Sequence, residues 1–213
     1  MQRTQAEVQQ GYDSVAADYA REFRDELDKK PFDRKMLDWL AERVAPSGVV
    51  CDMGCGPGQV ARYLQERGVA ACGIDLSPEM VRQAQRLNPG IPFQQGNMLA
   101  LSDVADNSYA GIAAFYCIIH IPRSSVVEAL SELKRVLRLT GWLLITFHIG
   151  QEIVHRDEWW DKAVSLDFIF FEIEEMKDYL KAAGFELAEV IARDPYPEVE
   201  YQSRRAYIFA RRP

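Results

Sequence analysis

The sequence predicts an α/β protein built on an open, doubly wound, mostly parallel sheet of seven strands with helices on both faces. Three observations carry that expectation. Short apolar runs and amphipathic segments of helical period alternate at least five times along the 213 residues. The first apolar run, residues 49–51, turns directly into a helical segment through a loop holding Gly54, Gly56 and Gly58. Asp52, Asp75, Asn97 and Phe115 fall at the ends of the first four runs, so in such a sheet they would meet in one crevice at the carboxyl ends of the strands. The length suits a single domain with a substantial core.

Each element follows from a local pattern. Val8, Tyr12, Val15, Tyr19 and Phe23 recur at three- and four-residue spacing, which predicts an amphipathic N-terminal helix or helix pair, with residues 1–30 as a helical lid. Pro31 and Asp33 open a helix with an apolar face of Phe32, Met36, Leu37, Leu40 and Val44, and Pro46-Ser47-Gly48 ends it. After the glycine turn, Val60, Ala61, Tyr63 and Leu64 mark a helix that Gly68 stops. Residues 70–76 form the second strand, Ser77 and Pro78 cap the next helix, and Met80, Val81, Ala84 and Leu87 are its buried stripe. Residues 91–95 and 108–116 read as the third and fourth strands. Pro122 and Ser125-x-x-Glu128 give a capping-box start to a helix that buries Val126, Leu130, Leu133 and Leu137. The fifth strand follows the Thr140-Gly141 turn and ends at His148. Residues 151–171 break the alternation. Two runs rich in β-branched and aromatic residues flank Asp161-Lys162 there, which fits a small hairpin inserted over the site. Ile173, Met176, Leu180 and Ala183 mark a last helix, residues 185–192 and 206–211 the last strands, and the acidic, proline-bearing loop between them part of the rim.

Composition narrows the function. A net charge of -7 with no basic tract argues against a nucleic-acid backbone as partner. No apolar run approaches the length of a membrane span and residues 1–10 have no signal-peptide core, so a cytoplasmic protein is expected. Cys51, Cys55, Cys72 and Cys117 form no Cys-x-x-Cys pair and read as buried free thiols of a reducing compartment. His120, His148 and His155 are the only histidines and show no metal-binding spacing, so no metal is expected.

The glycine turn separates two ligand classes. A dinucleotide fold wants Gly-x-Gly-x-x-Gly, but Gln59 stands three residues after Gly56, leaving Gly-x-Gly-x-Gly. Asp52 would repel a pyrophosphate, whereas a ligand with an ammonium and a sulfonium would be attracted to an acidic turn. The stretch VVCDMGCGPG (49–58), with YDSVAADYA (12–20) and LKRVLRLTGWLLITFH (133–148), resembles the class I S-adenosylmethionine-dependent methyltransferases, in particular the small-molecule, type 11/25-like group. The resemblance runs from about Tyr12 to the C-terminus and is strongest over residues 49–148.

That resemblance implies a Rossmann-like fold, S-adenosylmethionine as cofactor, and transfer of its methyl group to a small molecule by in-line displacement. It assigns Asp52, Gly54, Cys55, Gly56 and Gly58 to the cofactor's amino-acid end and Asp75, with Leu76 beside it, to the ribose hydroxyls. Asn97 stands where the family usually has an acid that accepts from the adenine amino group, and Met98 would lie on the adenine face. Tyr19 belongs to the covering segment, and Phe115 borders the reacting methyl. His120 is the candidate base or substrate contact; Tyr12, His148, His155, Trp159 and Phe171 are candidates for the acceptor side. The aromatic residues of the insertion fit an apolar substrate pocket and a homodimer contact equally. A non-catalytic cofactor-binding or regulatory module, a macromolecule methyltransferase and, more distantly, an NAD-dependent oxidoreductase are the alternatives.

Overall fold

The computed structural model describes residues 3–44 and 48–213. Helix α1 (Gln5–Phe23) is one continuous helix, started by a capping box in which the Thr4 hydroxyl accepts from Glu7 N (3.3 Å) and the Glu7 carboxylate accepts from Thr4 N (2.7 Å). Helix α2 (Pro31–Val44) buries Met36, Leu37, Leu40 and Val44, as the spacing implies. Of the expected Pro46-Ser47-Gly48 stop, Pro46 and Ser47 lie outside the described residues. There follow β1 (Val50–Met53), α3 (Gln59–Glu66), β2 (Ala71–Asp75), α4 (Pro78–Leu87), β3 (Phe93–Gln95) and β4 (Tyr109–Phe115). The second half holds α5 (Val126–Val136), β5 (Leu137–His148), β6 (Ile153–Trp159), β7 (Lys162–Ile169), α6 (Ile173–Ala182), β8 (Glu186–Arg193) and β9 (Arg205–Arg211).

Seven strands form one sheet in the order β3-β2-β1-β4-β5-β9-β8, parallel except for β9, which runs antiparallel between β5 and β8. The chain reverses its direction of winding between β1 and β4, the place where an open α/β sheet forms its ligand crevice. One face of the sheet packs on α5 and α6, with Leu130, Leu133, Met176 and Leu180 buried; the other packs on α2, α3 and α4. A separate small cluster, Val8, Val15, Val164 and Leu166, joins α1 to the β6–β7 hairpin. Helix α1 and the inserted hairpin thus share an apolar seam of their own.

Three local expectations are corrected. Ser125 closes a 3₁₀ turn with φ −110° and ψ 0°, and its hydroxyl makes no cap bond. A capping side chain needs an extended backbone to reach the third helical amide, so no capping box forms there. Such a box forms instead at Glu172 and Glu175, at the start of α6. The third strand begins at Phe93 rather than residue 91; Pro92 has no N–H to donate and enters the ladder only as an acceptor from Gly73 N (2.9 Å). The hairpin turns on Trp160-Asp161, one residue earlier than expected. Both residues have positive φ (51° and 58°), as a type I′ turn requires. For a bulky residue such as Trp160 that backbone is strained, and its ring stacks on Trp159 at 4.7 Å and 10°.

Candidate functional site

At the tip of β1 the chain leaves the sheet through Gly54 (φ 69°) and Gly56 (φ 50°), and α3 starts at Gly58 (φ 82°). Gly54 is a close approach as well as a left-handed residue: a Cβ there would stand 2.3 Å from Cys117 Cβ. The amides of this turn are consumed within the protein. Gly54 N and Cys55 N both donate to Ile74 O (2.7 and 3.0 Å), Gly58 N donates to Cys55 O (2.8 Å), and Gly56 N donates to Asp75 Oδ2 (2.8 Å). These four donors point into the protein rather than toward a ligand. A phosphate would need the donors that the turn has already spent.

What the turn offers instead is a pair of acids, which a cationic ligand would draw into their ionised form. Asp52 is buried and accepts from Ala61 N (3.0 Å), capping α3 where Gly58 has no side chain to do so. Burial, with Asp75 and Glu26 nearby, pushes its carboxyl well above the usual range. Asp75, at the tip of β2, accepts from Gly56 N and Ser77 N (both 2.8 Å), and burial raises it to about 6. Among the described residues neither acid has a lysine or arginine partner. Two desolvated carboxylates at neighbouring strand tips suit a cationic ligand. The crevice they border encloses about 280 Å³, near the lower end of small-molecule sites, ~300–1,000 Å³. Leu76, Met98, Asn97 and Phe115 line it beyond Asp75. Asn97 Oδ1 also accepts from Leu99 N (3.0 Å), a local turn bond.

The cover supplies an aromatic wall. Tyr12 and Tyr19 of α1 meet Trp159 of the hairpin edge-on, at 6.3 and 5.7 Å between ring centres. Asp13 fastens α1 to the start of α4 by accepting from Ser77 Oγ (2.5 Å), and Lys162 fastens the hairpin to α1 through Asp18 (2.7 Å) and Ser14 O (2.9 Å).

Below this wall stands His120. Its Nδ1 lies 3.0 Å from the Asp167 carbonyl oxygen, which can only accept, so Nδ1 carries the proton. Nε2 then accepts from the Tyr12 hydroxyl at 2.7 Å. Burial lowers the imidazole to about 4, keeping it neutral at pH 7, and holds the Tyr12 phenol protonated by raising it. His148, at the tip of β5, pairs through Nδ1 with Ser203 Oγ (2.7 Å) and stacks on Phe170 at 4.8 Å; burial and the nearby Arg205 cation lower it to about 3.

Fourteen of the sequence-derived residues line this one crevice: Tyr12, Tyr19, Asp52, Gly54, Cys55, Gly56, Asp75, Leu76, Asn97, Met98, Phe115, His120, His148 and Trp159. Three face elsewhere. Gly58 starts α3, and the space where its Cβ would be is closed by Asn88 and Phe93 at 2.7 Å. His155 sits on the outer face of β6 with Asp167 Oδ1 (2.7 Å), because alternation sends its neighbours Val154 and Arg156 inward. Phe171 is wholly buried against Phe147, and Phe170 lines the crevice in its place. Sequence reasoning missed Lys30, Arg156, Glu200 and Arg205. Arg156 was within reach, since two-residue spacing from Val154 selects it. Arg205 was not, because it reaches the crevice only through its antiparallel pairing with His148.

Fold and crevice define a doubly wound α/β protein whose glycine turn is acidic rather than phosphate-binding. Comparisons with known proteins agree. Residues 50–141 match the family model of a methyltransferase domain. A malonyl-[acyl-carrier protein] O-methyltransferase from Enterobacter lignolyticus is 30% identical over 141 residues, covering 62% of this chain and 53% of that protein. The chain thus spans about half the length of that relative. The putative methyltransferase YqeM of Bacillus subtilis is 24% identical across 96% of this chain and 97% of its own. The magnesium protoporphyrin IX methyltransferase of Synechocystis PCC 6803, solved with bound S-adenosylmethionine, superposes with a TM-score of 0.71 at 20% identity, covering 98% and 97% of the two chains. Residues 50–141 thus resemble a methyltransferase domain, and the fold is that of solved S-adenosylmethionine-dependent methyltransferases. S-adenosylmethionine is bound in the Synechocystis structure, and a crevice with one buried and one half-buried acid, neither paired with a cation among the described residues, beside a turn of spent amides fits this cationic, phosphate-free nucleoside.

Proposed function

We propose that the protein transfers a methyl group to a small organic acceptor by in-line displacement. The observation that carries the reading is the pair Asp52, buried, and Asp75, half-buried, without cationic partners among the described residues at adjacent strand tips above the glycine turn. Asp75, ionised, accepts from both ribose hydroxyls, and Met98 and Leu76 flank the base. Tyr19 and Trp159 close the crevice and exclude water, which strengthens every charge interaction inside it. When bound, S-adenosylmethionine supplies a methyl group made electrophilic by its sulfonium.

The chain's own task is alignment and, for an acceptor that must lose a proton, a place for that proton. Tyr12 and His120 provide one. The Tyr12 oxygen takes the acceptor's proton while its own passes along the 2.7 Å bond to His120 Nε2. The imidazolium so formed stays held by its Nδ1–H bond to the Asp167 carbonyl. A neutral histidine at pH 7 is the state this relay requires. The small size of the crevice and the acidic balance of the chain favour a metabolite over a macromolecule, and the malonyl-[acyl-carrier protein] O-methyltransferase relative favours oxygen as the accepting atom.

Incubation of the protein with methyl-labelled S-adenosylmethionine and a metabolite extract tests this reading. Label is expected in a small molecule, unaffected by prior nuclease or protease treatment of the extract. Label confined to protein or nucleic acid, or no transfer at all, contradicts it.

A further inference from the structure

Seven charged side chains line the crevice: Glu26, Asp52, Asp75 and Glu200 against Lys30, Arg156 and Arg205. Lys30 pairs with Glu26 (2.5 Å) and Arg205 with Glu200 (3.2 Å). Asp52 and Asp75 await the cofactor's positive charge. Arg156 is left over. Among the described residues it has no carboxylate within ion-pair reach, and its guanidinium lies 4.8 Å from the centre of the Trp159 ring.

The hairpin is shaped to aim it. Val154 and Arg156 face the crevice in the usual alternation, but the next inward residue is Trp159, not Glu158. The ladder slips there: β6 advances two residues from Arg156 to Glu158 while β7 advances three, from Leu166 to Ala163. Such irregularities re-aim side chains beside binding sites, and this one sets the indole beneath the guanidinium. Phe168 and Tyr12 also stand against that indole, at 5.9 and 6.3 Å, and Tyr12 carries the bond to His120.

From this geometry we propose that Arg156 binds a carboxylate on the acceptor, so that the substrate is a singly charged, flat or aromatic acid. The inference rests on the reading of the crevice as a methyl-transfer site. The stacked guanidinium presents a planar fork of donors that matches a carboxylate. A dianion is disfavoured because Arg156 is the one cation of the crevice left without a carboxylate partner among the described residues, and it balances a single negative charge. The four aromatic rings of Tyr12, His120, Trp159 and Phe168 supply the apolar seat.

The test titrates 4-hydroxybenzoate and its uncharged amide, 4-hydroxybenzamide, into protein saturated with S-adenosylhomocysteine, and again without the nucleoside. The acid is expected to bind at least tenfold more tightly than the amide. Arg156→Gln is expected to erase that preference and to leave the affinity for S-adenosylhomocysteine within twofold of the native value. Arg156→Lys should keep part of it. Equal binding of acid and amide, binding of neither, or a preference that survives Arg156→Gln overturns the assignment. So does a loss of nucleoside affinity in Arg156→Gln, which would give Arg156 to the cofactor's own carboxylate. Failure of the native protein to bind the nucleoside counts against the methyl-transfer reading alone, since the titrations without nucleoside still report on Arg156.

Discussion

At the glycine-turn end of the crevice, the bonds that set the geometry join residues 2, 9 and 19 positions apart: Asp75 with Ser77, Asp52 with Ala61, Gly56 with Asp75. At the covered end, Tyr12 meets His120 across 108 positions, Lys162 meets Ser14 across 148, and His148 meets Ser203 across 55. The first region is backbone turned by glycine and read by two acids, so its shape is nearly complete once β1, α3 and β2 have formed. The second is assembled from side chains on a helix, a hairpin and a distant loop, and exists only when all of them are docked. The difference suggests that binding and specificity are separable: damage to the turn should abolish cofactor binding, and damage to the cover should spare it.

The largest expected effect is at the turn. Gly54→Ala combines a left-handed backbone with a Cβ that meets Cys117, and should cost about 2–5 kcal/mol of stability in denaturant titration. A change below 0.5 kcal/mol would mean that the turn tolerates a side chain and is not the tight element described. Next, Asp75→Ala should weaken S-adenosylhomocysteine roughly 10–150-fold, the value of hydrogen bonds to a charged group; calorimetry showing unchanged affinity would remove Asp75 from the ribose.

That same acid gives a pH signature. Its carboxyl is held near 6, so the ionised form, and the bonds that depend on it, are present above that pH and lost as pH falls through it. Nucleoside affinity should drop about tenfold between pH 7 and pH 5, and Asp75→Asn should flatten the profile. A slope that persists in Asp75→Asn assigns the titration to another group. The smallest effect belongs to the cover. Lys162→Met removes the tie from the hairpin to Asp18 and Ser14 and should cost roughly 0.2–1 kcal/mol. Hydrogen exchange should quicken in β6 and β7 while β1 and β2 stay protected; equal quickening in both regions would erase the distinction between them.

The same division explains what the sequence made legible. Glycine spacing, an acid at each of two strand ends and a Ser-Pro helix start are local signals, and they put Asp52, Gly54, Gly56, Asp75 and Ser77 at the strand tips, turn and helix start where the structure has them. The parallel order also followed, since alternating strands and helices leave few other arrangements. His155 and Phe171 were misplaced by one residue each, the error to which a two-residue period is most exposed. Lys30, Glu200 and Arg205 carry no local signal; their meeting depends on how the β8–β9 loop returns over the sheet. The spent amides of the turn were also out of reach, because a glycine pattern reports backbone freedom and not where each N–H points.

The most direct measurement is a calorimetric titration of the native protein with S-adenosylhomocysteine and, separately, with NAD. The account predicts saturable one-site binding of the first and none of the second, because the turn has acids to offer and no free amides for a pyrophosphate. Tight binding of NAD with silence toward the thioether nucleoside would contradict it.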